Sequence, residues 1–99
     1  MSQHIFKTTR AGEPISVLLG WDRPLEYFFL VVEQLSVENN DEIYLYSNLD
    51  DPGAIDCSLD YFRQKLSELG ISVPDSMFIE AESDRKHNVG NRLVEHHLE

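Results

Sequence analysis

The residues best suited to recognition lie in one short stretch, where the single tryptophan, Trp21, is followed by Asp22 and Arg23. Tryptophan, tyrosine and arginine are enriched among the side chains that contribute most energy to protein interfaces. An arginine beside aromatic rings can also hold a carboxylate or a phosphate through two parallel hydrogen bonds. We therefore predict a partner-binding or ligand-binding site formed by Trp21, Asp22, Arg23, Tyr27, Tyr44, Tyr46, Asn48 and Asp50.

A structural role explains the same stretch at least as well. Trp21 would then pack in the core, and Asp22 would pair with Arg23 or cap a turn. Pro24 has no amide hydrogen to donate and restricts the residue before it, so strand pairing must end here. Gly20 would let the backbone bend or be approached closely.

The acidic loop that begins at Asn48 can be compared with a calcium-binding loop, and the comparison fails. Asn48, Asp50 and Gly53 fall at loop positions 1, 3 and 6, as such a loop requires. However, Pro52 falls at position 5, and Leu59 at position 12, where a bidentate glutamate belongs. Ordinary turn chemistry explains this loop.

The histidines do not show the spacing of a zinc site, which needs three or four converging ligands. Neither a Cys-x-x-Cys nor a His-Glu-x-x-His motif occurs. We expect His96 and His97, near the C-terminus, to be exposed. The sequence therefore predicts no metal ion and no cofactor.

Motifs of catalysis are also missing. Cys57 is the only cysteine, so an internal disulfide is excluded, and its acidic neighbours oppose thiolate formation. The chain has no Gly-x-Ser-x-Gly, no phosphate-binding glycine loop and no dinucleotide fingerprint. We assign no catalytic residues, and a non-enzymatic role is favoured over an enzymatic one.

Length and composition indicate one globular domain over residues 1–97, and Leu98-Glu99 resembles the scar that precedes an expression tag. No apolar run reaches the roughly 20 residues that span a bilayer, and the N-terminus lacks the apolar core of a secretory signal. We expect a cytoplasmic protein.

The net charge of −10 is concentrated in the middle of the chain, since residues 24–62 contain nine acidic residues and no lysine or arginine. A chain without a basic patch cannot neutralise phosphates, so neither nucleic acid nor an anionic membrane is an expected partner. The acidic surface would aid solubility or dock a basic protein.

The pattern of apolar residues predicts an α+β fold with an antiparallel β-meander of three to five strands. Residues 4–9 suit a first strand or an extended arm, residues 15–22 alternate as a strand does, and residues 42–47 form another strand. Residues 25–35 fit helical spacing as well as strand composition. We favour a strand because aromatic and β-branched residues dominate there.

Helices should follow the meander. Leu59, Phe62, Leu66 and Leu69 form an apolar stripe, which predicts the main helix over about residues 58–69, capped by Ser58 and stopped by Gly70. Pro74 predicts a short second helix over about residues 75–84, and residues 89–96 a C-terminal strand.

Both sides of the central strands carry apolar residues. Phe28, Leu30 and Val32 alternate with Tyr27, Phe29 and Val31. One helix cannot cover two sheet faces, so the second face must be covered by the C-terminal segments, by a second copy of the chain or by a partner.

Three motifs resemble those of a family of small bacterial proteins with uncharacterised activity: Gly20-Trp21-Asp22-Arg23-Pro24-Leu25, Tyr46-Ser47-Asn48-Leu49-Asp50-Asp51-Pro52 and Asn88-Val89-Gly90-Asn91-Arg92. The resemblance covers most of the chain. It implies a compact bacterial, cytoplasmic domain and carries over no catalytic residue.

Two functional hypotheses follow from these observations. In the first, the protein is a non-enzymatic interaction module whose aromatic sheet face binds a protein partner or a second copy of itself. In the second, it binds or converts a small molecule in a pocket near Trp21 and Arg23. A third hypothesis, an acidic mimic of nucleic acid, has the right charge and requires regularly spaced carboxylates.

Overall fold

The computed structural model describes residues 2–10, 12–35, 44–48, 51, 54 and 58–96, and it has the predicted α+β fold. In chain order its elements are β1 (Ser2–Arg10), β2 (Glu13–Asp22), β3 (Tyr27–Gln34), β4 (Tyr44–Ser47), α1 (Leu59–Glu68), α2 (Asp75–Lys86) and β5 (Arg92–His96). No helix among the described residues is both long enough and apolar enough to cross a membrane.

The five strands form one sheet in the order β4-β3-β2-β1-β5. The first four strands pair antiparallel in chain order, as the predicted meander does. β5 instead lies parallel to β1, so the sheet is mixed. The described helices α1 and α2 lie between the meander and β5 in the chain, and this long crossover lets the chain return beside β1 in the parallel direction.

The stretch that fitted both a helix and a strand is the strand β3. It pairs on one side with β2 from Ile15 to Asp22 and on the other side with β4. The β2–β3 turn is closed by Asp22, whose Oδ1 accepts a hydrogen bond from the Leu25 amide 3.2 Å away. Glu26 completes the turn with a φ of 55°. Pairing on both sides therefore outweighs the helical spacing of the side chains.

The helices end close to where the sequence predicted. Gly70 follows α1 with a φ of 74°, as a helix stop does, and α2 begins directly after Pro74. Ser58 occupies the N-cap of α1, but its side chain makes no capping hydrogen bond. α2 runs to Lys86, two residues beyond the predicted end.

The core lies between one face of the sheet and the two helices. Alternate residues of β2, from Ile15 to Trp21, are buried there together with Leu30 and Val32 of β3. The helices contribute Phe62, Leu66, Met77, Phe78 and Ala81. We call this side of the sheet the helix face and the other side the open face.

Gly20 is required by a close approach on β2. A Cβ atom at this position would overlap the backbone carbonyl oxygen of Ser2 and the ring of Phe29. Phe29 is buried although it is not part of the core, since it lies on the open face against Gly20. The prediction that Gly20 permits a close approach is confirmed.

Candidate functional site

The residues predicted to form a binding site are distributed over both faces and one end of the sheet. Trp21 is only 6% exposed and packs edge-to-face on Phe28, with ring centroids 5.2 Å apart. Its indole Nε1 is the buried side-chain polar atom that lacks a hydrogen-bond partner among the described residues. Asp22 caps the turn, and Arg23 is exposed beside Gly90.

The two tyrosines of β4 do not share a surface. Tyr44 is exposed, whereas Tyr46 packs against the core, edge-to-face on Phe62, and its hydroxyl donates to Asp51 Oδ2 at 2.8 Å. Tyr46 therefore does not lie on one aromatic face with Tyr44, because the register shift between β3 and β4 separates the two rings. Asn48 is buried, and Asp50 lies outside the described residues.

An open cleft of about 680 Å³ lies at the Trp21 end of the sheet. The lining residues are Trp21, Glu26, Tyr27, Phe28, Ser58, Leu59, Glu82, Arg85 and Asn88. Arg23 is not among them, so the cation predicted for this pocket is replaced by Arg85. A hydrogen bond and the charge of Arg85 hold the pKa of Glu82 below its ordinary value.

A buried polar cluster that the sequence did not predict lies between α2, β1 and β5. Ser76, Glu80 and Asp84 follow one another at four-residue intervals on α2, so they form a single stripe. His4 on the helix face of β1 and His96 at the end of β5 lie against this stripe. The expectation that His96 is exposed is wrong, since it is 7% exposed and His4 is fully buried.

The cluster is a continuous chain of hydrogen bonds. Ser76 Oγ lies 2.9 Å from His96 Nδ1, and His96 Nε2 lies 2.9 Å from His4 Nδ1. His4 Nε2 lies 2.6 Å from Asp84 Oδ2. An ionised Asp84 can accept hydrogen bonds but cannot donate them, so His4 carries its proton on Nε2. Between neutral rings, His96 Nε2 must then donate to His4 Nδ1, and the Ser76 hydroxyl must donate to His96.

Asp84 is ionised at the centre of this cluster. Burial alone would raise its pKa, but hydrogen bonds from His4, Ser2 and Arg92 outweigh that effect and hold the pKa below its ordinary value. Arg92 donates to Asp84 Oδ1 at 2.7 Å and to Glu80 Oε1 at 2.9 Å, so one guanidinium links the two carboxylates. The same contact with Asp84 raises the pKa of Arg92.

His4, His96 and Glu80 are the described residues that could together hold a metal ion, with their ligand atoms all within 4.8 Å of one another. Sequence spacing could not reveal this set, because its members come from two strands and a helix that are far apart in the chain. The sequence feature that could have pointed to this site was a histidine at an inward position of β1. Such a histidine is more often a core residue with hydrogen-bonded ring nitrogens than a metal ligand.

The open face carries apolar side chains, and both described helices lie on the other side of the sheet. Its central row consists of Ile5, Leu18 and Val31, which are neighbours across β1, β2 and β3 and are all partly exposed. Leu93 of β5 is 64% exposed on the same face. Tyr27, half-buried on the same face, extends this surface toward the cleft, whereas Phe29 is buried against Gly20.

Comparisons with known proteins gave no match to a family model, to a curated protein or to a solved structure.

Proposed function

We propose that the protein is a non-enzymatic, self-associating interaction module, and that two copies pack through their open faces. The observation that carries this proposal is that both described helices cover the same side of a sheet whose two sides are apolar. An extended apolar patch on a soluble protein marks an interaction surface more often than it remains free. The surface that best complements the open face is the open face of a second copy of the chain.

The arrangement of side chains on the open face favours a second copy. The row Ile5-Leu18-Val31 is flanked by the row Lys7-Ser16-Glu33, which carries a cation on β1 and an anion on β3. A two-fold axis parallel to β2 places β1 of one copy over β3 of the other. Lys7 then faces the other copy's Glu33, Ile5 faces Val31, and Leu18 faces its own symmetry mate, as an isologous interface requires.

The dimensions of the sheet are sufficient for a weak dimer. The five strands contain 36 residues, and with a rise of about 3.4 Å per residue and a strand separation of about 4.8 Å they give a face of roughly 600 Å². Two such faces bury roughly 1,200 Å² in total, which is at the lower end of specific interfaces. The charge of −10 on each chain opposes association. We therefore expect a dissociation constant in the micromolar range rather than a permanent dimer.

The test places a charge at the centre of the open face. Val31→Lys should leave the chain monomeric by sedimentation velocity at concentrations where the wild type dimerises, because the new ammonium group would be buried without a partner. Ile79→Lys is the matched control, since Ile79 is 64% exposed on α2 on the other side of the molecule, and this variant should dimerise as the wild type does. A wild type that stays monomeric up to millimolar concentration, or equal loss of association in both variants, contradicts the proposal.

The cleft beside Trp21 supports a second candidate function, the binding of a small molecule. Its volume suits a ligand, and Trp21, Tyr27 and Phe28 give it aromatic rings, which attract cations. Glu26 and Glu82 outnumber Arg85 in the lining, so the ligand would be cationic, not the carboxylate or phosphate suggested by Arg23. Saturable quenching of Trp21 fluorescence by tetramethylammonium but not by phosphate would support this function, and the reverse order would exclude it.

A further inference from the structure

The histidine cluster has the composition and the spacing of a metal site. Imidazole nitrogens and a carboxylate are standard zinc ligands, and two histidines with one glutamate form the ligand set of one class of catalytic zinc sites. Ligand atoms about 2.0–2.1 Å from zinc at tetrahedral angles lie roughly 3.3 Å apart. His96 Nε2 is 3.3 Å from Glu80 Oε2 and 2.9 Å from His4 Nδ1, close to this separation.

The surroundings of the three ligands also match those of a metal centre. Metal-binding histidines almost always place their second ring nitrogen against a carboxylate, a carbonyl or another polar oxygen, which fixes the tautomer and the ring orientation. His4 places its second nitrogen against Asp84, and His96 places its second nitrogen against the Ser76 hydroxyl. Glu80 is held through its other oxygen by Arg92 at 2.9 Å. Each ligand is thus oriented by a polar contact to the atom that does not face the metal position.

The cluster can be reached from solvent along one side. His4 and His96 are buried, but Glu80 is half-buried and Ser76, one turn earlier on α2, is exposed. Glu80 can therefore close onto an entering ion without disturbing the core. Three protein ligands leave a fourth position free for water.

We propose that His4 Nδ1, His96 Nε2 and Glu80 Oε2 bind one zinc-class divalent metal ion. The ion replaces the hydrogen bond between the two imidazoles. His4 keeps its proton on Nε2, where it donates to Asp84. In His96 the proton leaves Nε2 and one is gained on Nδ1, so that the ring donates to Ser76 Oγ instead of accepting from it. No net proton is released by the neutral pair, and this proposal is independent of dimer formation.

The first test is calorimetric titration of the metal-free, untagged chain with zinc chloride. We expect one saturable site per chain, weakened at least 10-fold by Glu80→Gln, which keeps the side-chain shape but removes the anionic ligand. Ser76→Ala should weaken binding by about 10-fold to 100-fold, as loss of a partner behind a ligand does. Glu82→Gln on the same helix, His87→Gln and His97→Gln are matched controls and should bind zinc as the wild type does.

A magnesium chloride titration separates a built site from general attraction to an acidic protein, because Mg²⁺ prefers oxygen ligands and should not bind here. Nitrogen-15 NMR supplies a second readout: zinc should move the His96 proton from Nε2 to Nδ1 and leave His4 protonated on Nε2. Absence of saturable zinc binding, equal binding of magnesium, or zinc binding that survives Glu80→Gln but is lost in His87→Gln or His97→Gln would overturn the proposal.

Discussion

At the scale of single residues, Asp84 is the side chain whose removal should have the clearest effect. It is 1% exposed and accepts hydrogen bonds from His4 on β1 and Arg92 on β5, so it joins α2 to both strands. A buried carboxylate is stable only when it is fully paired. Asp84 therefore stabilises the attachment of α2 to the sheet whether or not a metal ion binds nearby.

We predict that Asp84→Asn lowers the free energy of unfolding by about 2–3 kcal/mol at pH 7, the range for hydrogen bonds to charged groups. Because folding lowers the pKa of Asp84, the unfolded chain binds more protons between the unfolded and folded pKa values. This part of the stability is complete above the ordinary aspartate pKa, near 4, and is lost as the pH falls through the lower folded pKa.

Urea titrations of wild type and variant from pH 7 down to pH 3 measure this effect. The difference in unfolding free energy should shrink as the pH falls below about 4. Asp75→Asn is the control, since Asp75 is exposed at the start of the same helix and its ion pair among the described residues is with the exposed Arg63. A difference that grows toward low pH would contradict the assigned role of Asp84.

At the scale of elements, the sequence predicted most of the architecture because alternation and helical stripes are local signals. The strand periodicity of residues 15–22 and the apolar stripe of α1 were sufficient to place both elements. Long-range pairing was not predictable: the parallel docking of β5 beside β1 depends on contacts between residues far apart in the chain. The same contacts create the His4–His96 pair, which explains why His96 was expected to be exposed.

The structure does not bring the predicted binding residues together on one surface, for a related reason. Sequence distance placed Tyr44 and Tyr46 on one side of β4, but the irregular register against β3 turned Tyr46 toward α1. The aromatic surface that β3 leaves accessible on the open face is formed by Tyr27, since Phe29 is buried against Gly20. Its apolar neighbours Leu18 and Val31 were visible in the sequence as the second alternating set.

Within β2, we predict that Gly20→Ala destabilises the fold by about 1–3 kcal/mol, the usual cost of overpacking. The new methyl group would overlap the Ser2 carbonyl and the Phe29 ring, and the Ser2 carbonyl cannot move without disturbing β1, which pairs with both β2 and β5. Gly90→Ala is the control, because its Cβ would meet only the flexible Arg23 side chain at 3.4 Å. Thermal unfolding of both variants measures the contrast, and equal midpoints would show that the close approach is not rigid.

At the scale of the whole molecule, the described helices form one layer and the sheet forms the other, so the open face is an apolar surface that neither described helix covers. The Lys7 and Glu33 positions make this face complementary to itself, and the net charge of −10 limits the strength of any pairing. Self-association through this face is the central claim.

The most direct measurement is an isotope-filtered NOE experiment on an equimolar mixture of carbon-13-labelled and unlabelled chains. Ile5 and Val31 lie on strands separated by β2, about 10 Å apart within one chain, which is beyond the reach of an NOE. We predict NOEs between the Ile5 methyls of one chain and the Val31 methyls of the other, and between the two Leu18 side chains. Intermolecular NOEs confined to the helix layer, for example at Ile79, or none at all at millimolar concentration, would contradict the claim.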